Sequence, residues 1–389
     1  EQRAGLRPRL HRPGPAARLL QALILVGGEG TRLRPLTSTV PKPVVPLVDR
    51  PFIAYMLEWL RRHDVDDVIM SCGFLATSVR NVLGDGSAYG VRLRFVEEPE
   101  PRGTAGALKY AEEFLADRFL MLNGDVLSDM DLSAQVRQHD ATGAVGTLAL
   151  VPVADPSAYG LVRTNPDNSV LGFLEKPSAD QIDTNLISAG AYVLERSVLD
   201  MIEPDRNVSI EREIFPQLVE QQAVHGVALP GYWLDVGTPD AYLQAHRDVL
   251  ERNFVTELGD ALGADYTLVA SGANVSADAR IVPPVFVGAG ASIGAGSRIG
   301  GLAVIGAGAR IGDRAAIESS VVGAGAIIGS GTVVSEAIVG ERAEVGADCD
   351  VRGLAVVGPG AKVGDRNMLD HGLRVAADET IGAGAVTFS

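Results

Sequence analysis

Between residues 285 and 329 the chain reads VFVGAGASIGAGSRIGGLAVIGAGARIGDRAAIESSVVGAGAIIG, with an isoleucine every six residues at Ile293, Ile299, Ile305, Ile311 and Ile317. Gly294, Gly300, Gly306 and Gly312 follow four of them. A six-residue step suits neither a helix nor a strand meander. It suits a β-solenoid, in which short strands turn corners and each coil stacks on the last. The aliphatic then fills the interior, and glycine is expected to tolerate the corner's backbone angles. The pattern resumes at 355–364 and 381–384. Its strict phase excludes low-complexity disorder.

Upstream the character differs. Apolar runs at 23–26, 68–71, 93–96, 119–122, 145–151 and 189–194 alternate with helical patterns such as 52–63, 104–114 and 210–221. Near-continuous apolar strands separated by helices indicate an α/β domain with a largely parallel sheet. Ligands of such sheets bind beyond the carboxyl ends of the strands. The expected division is a disordered basic tail at 1–20, an α/β domain at 21–252, a linker at 253–264 and the solenoid at 265–389.

The first strand opens into LILVGGEGTRLRPLTSTVPKPVVPL, residues 23–47. A Walker A loop would need Gly-Lys-Ser/Thr, but Gly30 precedes Thr31 and Arg32. A dinucleotide fingerprint would need a third glycine or alanine where Leu33 stands. What remains is a glycine loop whose N–H groups can approach an anion, backed by Arg32 and by Lys42 between Pro41 and Pro43. The positive charge is local, because the whole chain carries 49 acidic against 34 basic residues, a net −15. That balance argues against nucleic-acid or membrane partners. Two distant cysteines, Cys72 and Cys349, form no disulfide framework and suit a reducing cytoplasm. No apolar run is long enough to span a bilayer.

Later motifs follow in order: NGD at 123–125, EKP at 175–177 and DVGTP at 235–239. With GGEGTRLRPLT and PKPVVPL, they make the chain resemble the sugar-1-phosphate nucleotidyltransferases (NDP-sugar pyrophosphorylases) across residues 21–250. The tail resembles the hexapeptide left-handed β-helix. The resemblance implies a Rossmann-like mixed, mostly parallel sheet followed by that β-helix. It implies attack by a sugar-1-phosphate oxygen on the α-phosphorus of a nucleoside triphosphate, with release of pyrophosphate. Arg32, Lys42, Asp125, Lys176 and Asp235 would then be catalytic, with Asp125 and Asp235 holding Mg²⁺. Leu25, Gly27, Gly28, Gly30, Thr31, Glu98, Gly103 and Thr104 would bind the nucleotide. Gly160, Glu175, Lys176, Asn185 and Gly190 would bind the sugar phosphate.

The loop EPEPRGTAG from residue 98 carries Glu98 five residues before Gly103, where members using thymidine or uridine triphosphate commonly carry glutamine. A carboxylate only accepts hydrogen bonds, and guanine offers two adjacent donors on its Watson–Crick edge. Uracil and thymine would set acceptor against acceptor, at ~1–3 kcal/mol for an unpaired buried group. GTP is therefore the expected triphosphate. Loop and tail together look most like mannose-1-phosphate guanylyltransferases, with glucose-1-phosphate and UTP or dTTP as the alternative. Other readings are a non-catalytic regulator of the same fold and an acyltransferase using His371, the solenoid's histidine. A homo-oligomer formed through the solenoid is expected.

Overall fold

The computed structural model describes residues 20–73 and 75–387. The expected basic tail, apart from Leu20, lies outside them.

A nine-stranded mixed sheet organises the first domain. Its strands are β1 (Gln21–Leu25), β2 (Asp67–Cys72), β3 (Arg92–Glu97), β4 (Arg118–Asn123), β5 (Gly146–Pro152), β6 (Gly160–Thr164), β7 (Val170–Glu175), β8 (Leu186–Glu195) and β9 (Val224–Ala228). The main path runs β7-β6-β8-β4-β1-β2-β3, with β5 pairing both β8 and β9. The segment β4-β1-β2-β3 is parallel, whereas β8 runs antiparallel to β4, β5 and β6. The apolar runs need no polar alternation because both faces are covered. Ala22 and Ile24 of β1 and Leu120 and Leu122 of β4 enter one core, and Leu23, Phe119 and Met121 enter the other. Helices α1 (Phe52–Arg61) and α2 (Gly103–Tyr110) supply buried residues to these layers.

From Thr267 onward three all-parallel sheets of seven, seven and six short strands form the left-handed β-helix. Ile293, Ile299, Ile305, Ile311 and Ile317 are buried in its interior, as the periodicity requires. The phased glycines have a different reason from the expected one. A Cβ on Gly306 would lie 2.5 Å from the Ala324 nitrogen, and one on Gly312 would lie 2.6 Å from the Ser330 nitrogen. Glycine stands there because the next coil's backbone passes too close for a side chain, and the left-handed φ belongs to other corner positions such as Gly308 (φ +66°).

The two parts share one core. Helix α3 (Pro239–Leu250) presents Tyr242, Leu243 and Val249 to the same cluster as Phe286, Val304, Val321, Ile338 and Val356 of the β-helix. The expected linker is itself structured: Glu257–Ala261 is a short helix capped by the Thr256 hydroxyl, and Phe254, Leu258 and Leu262 are buried in that shared core. Among the described residues no helix is long and apolar enough to cross a membrane.

Candidate active site

Strands β1, β2 and β4 end together, with Leu25 in register with Ser71 on one side and Asn123 on the other. The glycine loop, the loop after Asn123 and the loop after β3 therefore leave the sheet at one edge. They line a cavity of about 490 Å³. Leu25, Gly27, Gly28, Gly30, Thr31, Arg32, Lys42, Glu98, Gly103, Thr104 and Asp125 all face it, so every expected nucleotide residue is gathered there.

A second cavity of about 190 Å³ adjoins the first. Gly160, Glu175, Lys176, Gly190 and Asp235 line it. Asn185 does not: it is exposed, and its backbone carbonyl is spent on the Val153 amide. Ser188, Tyr192, Glu211 and Trp233, which sequence reasoning missed, stand in the wall instead. Alternation along β8 offered a signal for Ser188 and Tyr192, but the strand is irregular between them. Gly190 lies in that irregularity at φ +73°, and a Cβ on it would sit 3.0 Å from the Asn123 side chain. Only glycine meets both conditions there.

Asp125 and Asp235 are far apart in sequence and close in space. Val126–Ser128 pairs antiparallel with Trp233–Asp235, setting Asp235 opposite Val126, and the Val236 amide donates to the Asp125 carbonyl at 3.0 Å. Lys42, largely buried between its prolines, places Nζ 3.2 Å from Asp125 Oδ2. Arg32, mostly exposed, reaches to 4.0 Å from Asp235 Oδ2. Burial first, then the charge of Asp125, pushes the Asp235 carboxyl up, against the pull of Lys42 and Arg32. Asp235 Oδ1 is buried with no hydrogen-bond partner. Two carboxylates on the wall of one cavity, with one oxygen unsatisfied, suit a hard divalent cation that takes oxygen ligands.

Glu98 is half-buried, which raises its pKa, and the Ser71 hydroxyl donates to Oε1 at 2.7 Å. Glu175 is likewise pushed up by burial and then by the charge of Glu211, with Lys176 opposing. Lys176 adopts φ +52°, an uncommon conformation for a residue with a side chain. Thr104 joins the two cavities: its hydroxyl donates to Glu211 Oε2 at 2.7 Å and accepts from the Ile210 amide at 2.8 Å. Tyr159 meets Trp233 edge-on at 5.3 Å, and the Trp233 indole donates to the Ala189 carbonyl. Arg32, Asn123 and Asp125 line both cavities, so the boundary carries two of the groups expected to act on phosphate.

The sequence matches the family described as "Nucleotidyl transferase" over residues 21–252 and the "GMPPB C-terminal domain" over 281–381. It is similar to the mannose-1-phosphate guanylyltransferase of Mycobacterium tuberculosis, 37% identical over 279 residues, which are 71% of this chain and 77% of that one. It is 43% identical to the mannose-1-phosphate guanyltransferase of Candida albicans over 230 residues, 58% of this chain and 63% of the relative. Among solved structures it resembles HddC from Yersinia pseudotuberculosis (27% identity, TM-score 0.51, 58% of this chain and 97% of that one). HddC has also been solved complexed with GMP-PN (26% identity, TM-score 0.50).

Proposed function

The chain belongs to the nucleotidyl transferase family, and we propose that it transfers GMP from GTP to mannose-1-phosphate, giving GDP-mannose and pyrophosphate. One observation carries this reading: a glycine-loop cavity and a smaller polar cavity meet at a wall held in common by Arg32, Asn123 and Asp125. The larger takes the triphosphate and the smaller the sugar phosphate. The α-phosphorus then lies at the boundary, in line between the attacking oxygen and the departing pyrophosphate.

Both substrates are anions, so the residues act mainly by neutralising and aligning charge. The N–H groups of Gly27, Gly28 and Gly30 and the Arg32 guanidinium hold the triphosphate. Lys42, fixed by Asp125 at 3.2 Å, lies against the reacting phosphates. Lys176 neutralises the sugar phosphate, and Glu175 accepts from sugar hydroxyls beside Glu211. Asp125 and Asp235 are the residues that would hold Mg²⁺; bound there, the ion supplies positive charge to the phosphate oxygens. The unpartnered Asp235 oxygen supports that assignment. Among the described residues no group of three or more histidine, cysteine or acidic side chains forms a richer metal site. Such sparse protein ligation suits Mg²⁺, which keeps water and substrate phosphates as its other ligands.

Glu98 reads the base. Ser71 orients one of its oxygens, and a carboxylate retains further acceptor positions for guanine N1–H and the 2-amino group. The M. tuberculosis and C. albicans relatives and the GMP-PN complex of HddC support guanine. Two free, buried cysteines support a reducing, cytoplasmic setting, and the β-helix is the surface through which copies would assemble. A single species of monomer mass in light scattering at micromolar concentration would remove the assembly proposal.

The deciding assay is pyrophosphate release with Mg²⁺, crossing GTP, UTP, dTTP, ATP and CTP with mannose-1-phosphate and glucose-1-phosphate. Release confined to GTP with mannose-1-phosphate is the expected result. Turnover with UTP or dTTP instead would remove the role given to Glu98. Silence in every pairing would overturn the catalytic reading.

A further inference from the structure

The glycine loop satisfies most of its own carbonyls. Gly30 O accepts from the Leu33 amide at 3.0 Å and the Thr37 hydroxyl at 2.8 Å. Thr31 O accepts from Arg34 N, Leu33 O from Leu36 N and Pro35 O from Ser38 N, each at 3.2 Å. Arg32 O and Arg34 O have no such partner in the loop. Both accept from Nη1 of Arg374, at 3.0 Å and 2.8 Å, across some 340 residues of sequence.

Arg374 has a singular place in the β-helix. Parallel register stacks Leu268, Phe286, Val304, Val321, Ile338, Val356 and Arg374 in one column. The residues from Phe286 to Val356 in that column are buried against the first domain. The apolar pattern breaks at the rung that reaches the loop, where a guanidinium replaces an aliphatic. Guanidinium carries several donors and no acceptor, so it can bridge two carbonyls where an aliphatic could only pack. Both contacts lie at the surface, so without Arg374 the two carbonyls would turn to water and the loop would lose its tether to the β-helix.

We propose that Arg374 is a positioning residue for nucleotide transfer. By holding the carbonyls of Arg32 and Arg34, it keeps the N–H side of the loop and the Arg32 side chain turned toward the triphosphate. The last coils of the β-helix are thereby part of the nucleotide site without touching the nucleotide. The proposal rests on the reading of the larger cavity as the triphosphate site.

The test uses the whole 389-residue chain with Arg374→Met, which keeps the apolar stem and removes the guanidinium, and Arg374→Lys, which keeps the charge as a point donor. Hydrogen exchange of loop peptides covering 28–38 is measured without substrate, alongside thermal midpoints and steady-state kinetics. In the methionine variant loop exchange should quicken about tenfold and the KM for GTP should rise about tenfold, with the KM for mannose-1-phosphate within about twofold. The lysine variant should recover part of both. Unchanged exchange and KM would overturn the proposal. So would an equal rise in both KM values with a lowered midpoint, the signature of a loosened domain interface. Absence of turnover in the wild type would instead defeat the proposed function, and loop exchange would still decide the role of Arg374.

Discussion

The β-helix and the cleft employ glycine and charge to opposite ends. In the β-helix each interior residue meets a close relative one coil away, Ile293 beside Ile311 and Ile299 beside Ile317. Its glycines remove bulk so that coils can stack. In the cleft each functional contact is between unlike residues far apart: Lys42 with Asp125, Arg32 with Asp235, Thr104 with Glu211. There glycine exposes backbone N–H groups or admits a neighbour, as Gly190 admits Asn123. A periodic structure distributes its stability over many equivalent positions, whereas a site concentrates its chemistry in positions that have no equivalent. Changes in the β-helix interior should therefore move melting and leave chemistry alone, and changes in the cleft should do the reverse; Arg374, on the outer face that meets the glycine loop, is the exception.

Asp125→Asn tests the cleft side most severely. It should lower kcat roughly 10²–10³-fold, about 3–4 kcal/mol of transition-state stabilisation, with little change in the thermal midpoint; near-wild-type turnover would remove Asp125 from the mechanism. On the other side, Ile317→Ala opens a hole in the β-helix and should cost about 3 kcal/mol of stability. Its kcat/KM per folded molecule should stay unchanged at low temperature, and a large drop there would break the contrast. Glu98→Gln sharpens it at the level of specificity. Exchanging one acceptor of the pair for a donor should cut the preference for GTP over UTP about tenfold, roughly 1.4 kcal/mol, as competition assays would reveal.

The smallest effect near neutral pH lies at the seam. His246 is buried in α3, accepts from the Val48 amide through Nδ1, and has its pKa pushed down to about 3 by burial. Its folded pKa is depressed below the usual 6.5, so the unfolded chain binds the proton first as pH falls. The stability involved is whole well above pH 6.5 and is lost progressively as pH falls toward 3. About 1 kcal/mol should be gone by pH 6. Denaturant titrations of His246→Gln should show a flatter pH dependence across that window; an identical slope would contradict the assignment. His63 and His139, also pushed down by burial, contribute in both proteins.

Much of this architecture could be read before any coordinates, because periodicity and ordered motifs are local in sequence. The isoleucine phase revealed the β-helix, and the apolar runs marked the sheet. All of GGEGTR except Glu29, all of NGD, and Glu175 and Lys176 of EKP line the paired cavities. What escaped was whatever depends on packing between distant segments. Glu211 stands in the wall of the smaller cavity, where Thr104, over a hundred residues earlier, donates to its carboxylate. Asn185, expected at the sugar phosphate, is exposed outside both cavities, since β8 is irregular only after Ser188. The six-residue glycines were legible as a pattern but not in their cause, which lies in the neighbouring coil. The segment at 253–264 reads as a linker because it lies between the α/β domain and the first repeat, yet Phe254, Leu258 and Leu262, four residues apart, are buried between the domains.

That shared core has a consequence for how the protein can be taken apart. Phe286, Val304, Val321, Ile338 and Val356 cover the same helix that carries His246 and Tyr242. Cutting the chain near residue 262 would uncover a greasy strip on each half, so neither half is a portable module. The catalytic domain should not be transplantable onto another scaffold without a replacement for that strip, and heat should melt the described chain in one calorimetric peak, not two.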